Sequence, residues 1–290
     1  MKFGLFAINY GTCADPEAAI TVARHAEAAG FESVWTGEHL ALPDPQPAGL
    51  VLPPTLPFLD TTVALTLVAS HTRTVRIGTG IILLPLRNPV VLAKELASLD
   101  VVSRGRLIVG VGAGYIPEEF AAVGVSLAER GVRMEEYIAA LRALWTMDHP
   151  QFRGRFVSFR GIDAHPRPVQ RPCPPIVVGA ESRRALRRAA ITANGWYGFS
   201  LDLAETRRFV KTLRALTIEY ERPAELGRLE ITVTPSGPLT RSAVGQYEEL
   251  GVDRLVLLPQ PDAERAERHN PLRLEQILRN VDLVADHLLR

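Results

Sequence analysis

The sequence predicts an α/β protein, a (β/α)8 TIM barrel with insertions after its second strand and before its fifth, forming one domain over residues 1–290. Three observations carry this. Short apolar runs rich in β-branched residues alternate with helical segments eight times, as parallel strands with crossover helices do. The run Val75 to Leu84 reads as long and apolar, which suits a buried parallel strand. Helix starts and stops are punctuated by Asp-Pro, Asn-Pro and Gly, the residues that cap helix ends. A doubly wound open sheet is the competing architecture, and the even repeat through the last helix favours the barrel.

In order, Lys2 to Ile8 forms the first strand, and Asp15-Pro16 opens a helix that Gly30 stops. Ser33 to Thr36 is the second strand. Residues Pro43 to Pro57 hold six prolines, too many for a helix or strand, so a surface loop follows that strand. A helix from Asp60 to His71 leads into Val75 to Leu84, an apolar run broken by Gly78 and Gly80. Asn88 as N-cap and Pro89 at N1 start the next helix, which carries Leu92, Leu96 and Leu99 on one face. A turn at Ser103 to Arg106 gives the fourth strand, Leu107 to Val111. A loop from Gly112 to Pro117 and a long helix from Leu127 to Thr146 follow. Phe152 to Phe159 reads as a small hairpin, and a proline-dense stretch, Pro166 to Pro175, delivers the fifth strand, Ile176 to Val178. The remaining strands are Gly195 to Phe199, Leu229 to Thr234 and Arg254 to Leu258. Their helices start at Ser182, Asp202, Arg241 and Leu274.

Composition narrows the function. A formal net charge of +1 gives no electrostatic footprint for nucleic acid. No apolar run approaches the roughly 18 residues of a membrane span. Cys13 and Cys173 make no CxxC pair, so a reducing, cytoplasmic location is expected.

Barrels place their chemistry at the C-terminal ends of the strands. Those ends carry Asn9 and Tyr10, Glu38 and His39, Thr79 to Ile82, Gly112 to Tyr115, Gly179 to Ser182, Trp196 to Gly198, and Thr234. No His lies at metal-ligand spacing from an Asp or Glu, and no lysine stands at a strand end for a Schiff base, so no metal is expected. Glycines, one His, one Glu and aromatic rings suit a large planar cofactor that brings its own reactivity.

The run Gly37-Glu38-His39, the segments T-G-I-I-L-L-P-L-R-N-P and S-R-G-R-L-I-V-G-V-G-A-G-Y, the block P-R-P-V-Q-R-P-C-P-P-I-V-V-G-A-E-S and the later N-G-W together resemble the bacterial luciferase-like superfamily. More narrowly they resemble its branch that uses coenzyme F420, a deazaflavin, in place of FMN. The resemblance implies a cis peptide at Gly80-Ile81 behind the cofactor ring, with Thr79 and Ile82 beside it. It places Gly112, Ala113, Gly114 and Tyr115, with Gly179, Ala180 and Glu181, against the cofactor and its ribityl phosphate chain. Ser182 would add helix N-terminal N–H groups to that phosphate. The implied chemistry is hydride transfer between the deazaflavin and a small organic substrate, with His39 as first and Glu38 as second candidate for the accompanying proton. Tyr115 stands where the branch's sugar-phosphate dehydrogenases have an acid, which argues against such a substrate; the hydrophobic rim suggests an apolar or enone-like one. Arg183, Arg184, Arg187 and Arg188 form either a solvated helix face or a greeting for the acidic tail of F420. The proline-rich loop reads as a substrate lid. A homodimer through the helix around Asn88 to Ser103 is implied as well. The alternatives are an FMN-dependent monooxygenase using reduced flavin and oxygen, and a cofactor-binding barrel without turnover.

Overall fold

The computed structural model describes residues 1–47, 52–179, 181–237, 239–259 and 272–289. The first half runs β1 (Lys2–Leu5), α1 (Pro16–Ala29), β2 (Ser33–Thr36), α2 (Thr61–His71), β3 (Arg76–Thr79), β4 (Ile82–Leu83), α3 (Pro89–Val102) and β5 (Leu107–Gly112). Then come α4 (Pro117–Ala122), α5 (Arg130–Thr146), the hairpin strands β6 (Phe152–Arg153) and β7 (Ser158–Phe159), β8 (Ile176–Gly179) and α6 (Arg183–Thr192). The chain ends with β9 (Gly195–Leu201), α7 (Leu203–Glu219), β10 (Glu230–Pro235), α8 (Arg241–Leu250), β11 (Arg254–Leu257) and α9 (Leu274–Val284).

All the staves are parallel. They close into a ring because β1 pairs with both β2 and β11, and β3 pairs with β5 while its continuation β4 pairs further along the same strand. Counting β3 and β4 as one interrupted stave gives the eight-stranded barrel expected from the sequence. The antiparallel β6–β7 hairpin is the excursion before the fifth stave, β8.

The helix ends follow the local chemistry. Asp15, Asp60, Asn88 and Ser182 accept backbone N–H bonds as N-caps, Asp202 and Glu205 form a reciprocal capping box, and Gly30 and Gly251 close their helices in left-handed conformation. Several boundaries differ from the sequence reading. The first strand ends at Leu5, and Ala7 takes φ 70° just beyond it. The predicted loop after β5 is interrupted by the short helix α4, and the last helix loosens into a π-turn over Ala285–Leu289. The four arginines of α6 divide: Arg188 is buried and pairs with Glu135, Arg183 reaches Glu219, and Arg187 lies over the Tyr220 ring. A uniformly solvated arginine face is therefore corrected, since the helix packs that side of Arg188 onto α5. No described helix is long and apolar enough to cross a membrane.

Two apolar clusters separate the outside of the barrel from its lumen. The larger lies between the strands and the helices. The smaller gathers Phe6, Trp35, Ile108, Val177, Tyr197 and Val256, inward residues from different staves. Trp35 explains a glycine of the third stave: a Cβ at Gly78 would lie 2.4 Å from the indole, so only glycine lets that ring occupy the lumen. Below Trp35, the guanidinium of fully buried Arg254 sits 5.5 Å from the indole and closes the base of the barrel. It donates a bidentate pair to Glu32 at 2.8 and 2.9 Å, with further bonds to Glu230 and Thr232. Burial pushes the Glu32 and Glu230 carboxyls up, but the hydrogen bonds and charge of Arg254 outweigh it and hold both below the usual carboxylate range.

Arg254→Met leaves two carboxylates partly buried without their cation, and should lower unfolding stability by about 2–4 kcal/mol at neutral pH, read from the urea midpoint. Because the native carboxyl values are depressed, their stabilisation is present above the ordinary carboxylate range and lost as pH falls through the lowered native values. The gap between wild type and variant should therefore narrow on acidification below about pH 4; a gap constant from pH 7 to pH 3 would show that the ion cluster contributes nothing.

Candidate active site

The mouth of the barrel is built around the break in its third stave. After Thr79, whose hydroxyl donates to the Gly110 carbonyl at 2.7 Å, the Gly80–Ile81 peptide is cis, and pairing resumes at Ile82. The cis bond is where the sequence resemblance put it. The Ile81 side chain turns over the edges of the two staves beyond. A Cβ at Gly112 would lie 2.1 Å from Ile81 Cδ1 and one at Gly179 2.4 Å from it. Both glycines therefore clear space for Ile81. The half-buried Ile81 packs on the lumen cluster and forms an apolar shelf facing the opening.

Glu38 and His39 leave β2 beside this shelf and part company. Glu38 is buried; one carboxylate oxygen accepts the Leu83 N–H and the other pairs with Arg87, which also bonds Asp60 at 2.6 Å. Burial pushes its pKa above the ordinary carboxyl value, against the opposing charge of Arg87. The acid therefore braces the resumed strand β4 from below. His39 is 11% exposed, and its Nδ1 lies 3.3 Å from Glu119 Oε2. Its ring stands edge-on to Phe58 and Tyr115, with centroids 5.6 and 6.1 Å away.

Asn9 fixes the other side. Completely buried, it exchanges two 2.9 Å bonds with the backbone of Gly37 and donates to the Leu59 carbonyl at 2.8 Å. Leu59 N–H returns a bond to the Asn9 carbonyl, and Gly11 N–H donates to Pro57. The returning arm of the proline-rich loop is thereby stapled to the end of β1, and Phe58 stacks on Tyr10 with centroids 4.6 Å apart. Phe6 and Phe199 extend this aromatic wall at 5.2 Å. Residues 48–51 of the loop that the sequence reads as a lid lie outside the described residues.

Across the mouth, Gly112 to Tyr115 leave β5 and lead into α4. Gly114 adopts φ 75° against Phe120, and Tyr115 is largely exposed with its phenol pushed up by burial of its inner part and by the Glu119 carboxylate. Further round, Glu181 and Ser182 open α6, where Ser182 caps Ala185 N–H. With Arg183, Leu186, Arg208, Phe209 and Thr212 they line an open groove of about 520 Å³. Ala180 lies outside the described residues. Trp196 is buried against Phe209 and belongs to the packing between barrel and helices.

Thr79 to Ile82, Glu38, His39, Gly112 to Tyr115 and Gly179 thus share one end of the barrel, at strand termini. The sequence reading missed Glu119, Arg87 and Phe58. Glu119 had a local signal, since Pro117 followed by two acidic residues is a helix N-terminus; Arg87 and Phe58 acquire their partners only through tertiary packing. No side chain stands at positions 80, 112 and 179, and the space over Gly112 and Gly179 is taken by Ile81; among the described residues no group of three or more His, Cys, Asp or Glu side chains is placed to hold a metal ion.

The family model described as luciferase-like monooxygenase matches residues 1–249. An uncharacterized protein of Mycobacterium tuberculosis (strain ATCC 25618 / H37Rv) is 30% identical over 272 residues, covering 90% of this chain and 93% of that protein. The oxygenase component of flavin-dependent trigonelline monooxygenase from Acinetobacter baylyi is 34% identical over 163 residues, which are 56% of this chain and 42% of that protein. An F420-dependent secondary alcohol dehydrogenase, solved in complex with an F420-acetone adduct, superposes with a TM-score of 0.76 at 16% identity, over 99% of this chain and 98% of that one, a likeness of fold. The chain belongs to the luciferase-like monooxygenase family.

Proposed function

We propose that this barrel is an F420-dependent oxidoreductase that transfers hydride between the deazaflavin and a small, uncharged organic substrate. The observation that carries the reading is the apolar Ile81 shelf seated over Gly112 and Gly179, with His39 beside it. A flat ring resting on Ile81 would have Thr79, Gly80 and Ile82 behind it. The phosphate chain would run along Gly112 to Tyr115 and Gly179 to Glu181, and Ser182 would offer the free N–H groups at the start of α6. When bound, the deazaflavin supplies two-electron hydride chemistry at a ring carbon.

The protein's own contribution is orientation and one proton. His39 is the catalytic acid or base, and Glu38 holds the backbone on which the shelf rests. Tyr10, Phe58 and Tyr115 supply aromatic faces, which favour an apolar or aromatic substrate that stacks rather than one held by charge. Deazaflavin is preferred to FMN because the groove beyond Ser182 continues with Arg183 and Arg208, which suits the long acidic tail of F420. The flavin-dependent relative supports the second reading, an FMN-dependent monooxygenase. Direct titration separates the two. Quenching of intrinsic fluorescence should show micromolar binding of F420 and binding of FMN at least tenfold weaker; the reverse order would replace the deazaflavin reading with the monooxygenase one, and binding of neither would remove both.

We further propose a homodimer. Val63 on α2 and Val91 on α3 are 63% and 56% exposed, on helices that pack together. Sedimentation velocity should give twice the monomer mass, and Val63→Asp combined with Val91→Asp should give monomer with the barrel still folded; an unshifted dimer would locate the interface elsewhere.

A further inference from the structure

We propose that Glu119 is a positioning residue that fixes the tautomer of His39, so that Nε2 is the atom that exchanges a proton with the substrate. The proposal rests on the oxidoreductase reading for its catalytic consequence, though the tautomer itself does not depend on any cofactor.

Glu119 lies on α4, is 1% exposed, and its carboxylate bonds to the single stretch His39 to Ala41. Oε1 accepts the backbone N–H of Leu40 at 2.7 Å and that of Ala41 at 3.4 Å, while Oε2 faces His39 Nδ1 at 3.3 Å. An ionised carboxylate can only accept, and two backbone donors already converge on it, so Nδ1 must carry the hydrogen. The ring plane is set at the same time, because Phe58 and Tyr115 stand edge-on to it at interplanar angles of 84° and 86°. Among the described residues no hydrogen bond uses Nε2.

The ionisable groups packed around the ring leave few alternatives. From α4 comes Glu119, with Glu118 exposed on the same first turn. From the loop after β5 comes Tyr115, whose phenol is held neutral by burial and by the Glu119 charge. From the end of β2 comes Glu38, whose oxygens are spent on Leu83 and Arg87. The proline-rich loop presents the uncharged Phe58.

With a reduced deazaflavin or flavin as the two-electron donor, hydride forms a new C–H bond at one end of a substrate C=O or polarised C=C. The π pair moves to the other end, which takes the proton from Nε2 of protonated His39. The histidine is left neutral with its hydrogen on Nδ1, Glu119 remains a carboxylate, and solvent restores the Nε2 proton. In the oxidative direction the same atom, unprotonated, accepts the proton.

Glu119→Gln tests this because the amide cannot do both tasks. If its oxygen keeps the Leu40 N–H, its NH₂ faces Nδ1, and the ring must become the Nε2–H tautomer. Long-range ¹H–¹⁵N NMR of histidine-labelled, cofactor-free protein at about pH 8, where a free imidazole is neutral, reads the tautomer directly; the His39 signals are assigned by their loss in His39→Ala. We expect the hydrogen on Nδ1 in wild type and on Nε2 in Glu119→Gln. With substrate, Glu119→Gln should lower kcat about 10- to 100-fold with KM changed less than about threefold, and should add no further loss to His39→Ala. An Nε2–H tautomer in wild type, an unchanged tautomer in the variant, or additive losses would overturn the proposal. A tautomer switch in a protein that turns over no substrate and binds no cofactor would instead leave the positioning intact and remove the oxidoreductase reading.

Discussion

The architecture of the mouth depends on one constraint: the third stave must be interrupted and still remain part of a closed barrel. β3 pairs with β5 at Ile77 and Gly78, the chain steps out at Gly80–Ile81, and β4 pairs with β5 again at Val111 and Gly112. Two side chains hold the step. Thr79 ties its near side to the Gly110 carbonyl, and Glu38 ties its far side by accepting the Leu83 N–H. A polar backbone group buried at such a break is costly unless it is bonded. The buried carboxylate is in turn matched by Arg87, which anchors to the Asp60 cap of α2. The shelf, the start of α3 and the cap of α2 are thus a single connected structure.

The opposite end of the barrel is organised by charge and size. Arg254 satisfies Glu32 and Glu230, and Lys2 adds a second bond to Glu230 at 2.9 Å, so the base is a connected ion network. Trp35 fills the level above it, over Gly4 and Gly78. With the lumen plugged by Arg254, Trp35 and the fully buried Tyr197, whose hydroxyl meets Thr234 at 2.7 Å, the open end is the place left for a ligand.

At that end, rigidity comes from backbone staples as much as from packing. Asn9 sews β1, Gly37 and Leu59 together, and Glu119 sews α4 to residues 39–41. The imidazole therefore sits in a frame whose members come from β2, α4 and the returning arm of the proline-rich loop. Preorganisation of this kind is what a reaction limited by orientation requires of the protein when the reactive electrons reside on a cofactor.

Much of this was legible in residue order. The period of apolar runs, the Asp, Asn and Ser caps and the left-handed glycines specify local structure through interactions within a few residues, and these determined the element order, the barrel and the set of strand ends that form the mouth. The ordered motifs likewise located the break at Gly80–Ile81. What tertiary structure decided is the division of labour among residues that are adjacent or alike in sequence. Glu38 and His39 are neighbours just past the end of β2, yet one meets Arg87 and the other Glu119, 80 positions away. Gly78, Gly112 and Gly179 read alike as glycines, but the first makes room for Trp35 and the others for Ile81. Arg188 reads like its three companions until α5 brings Glu135 to it. Such partnerships span long stretches of chain and depend on which faces the closed barrel brings together, and no local pattern encodes them.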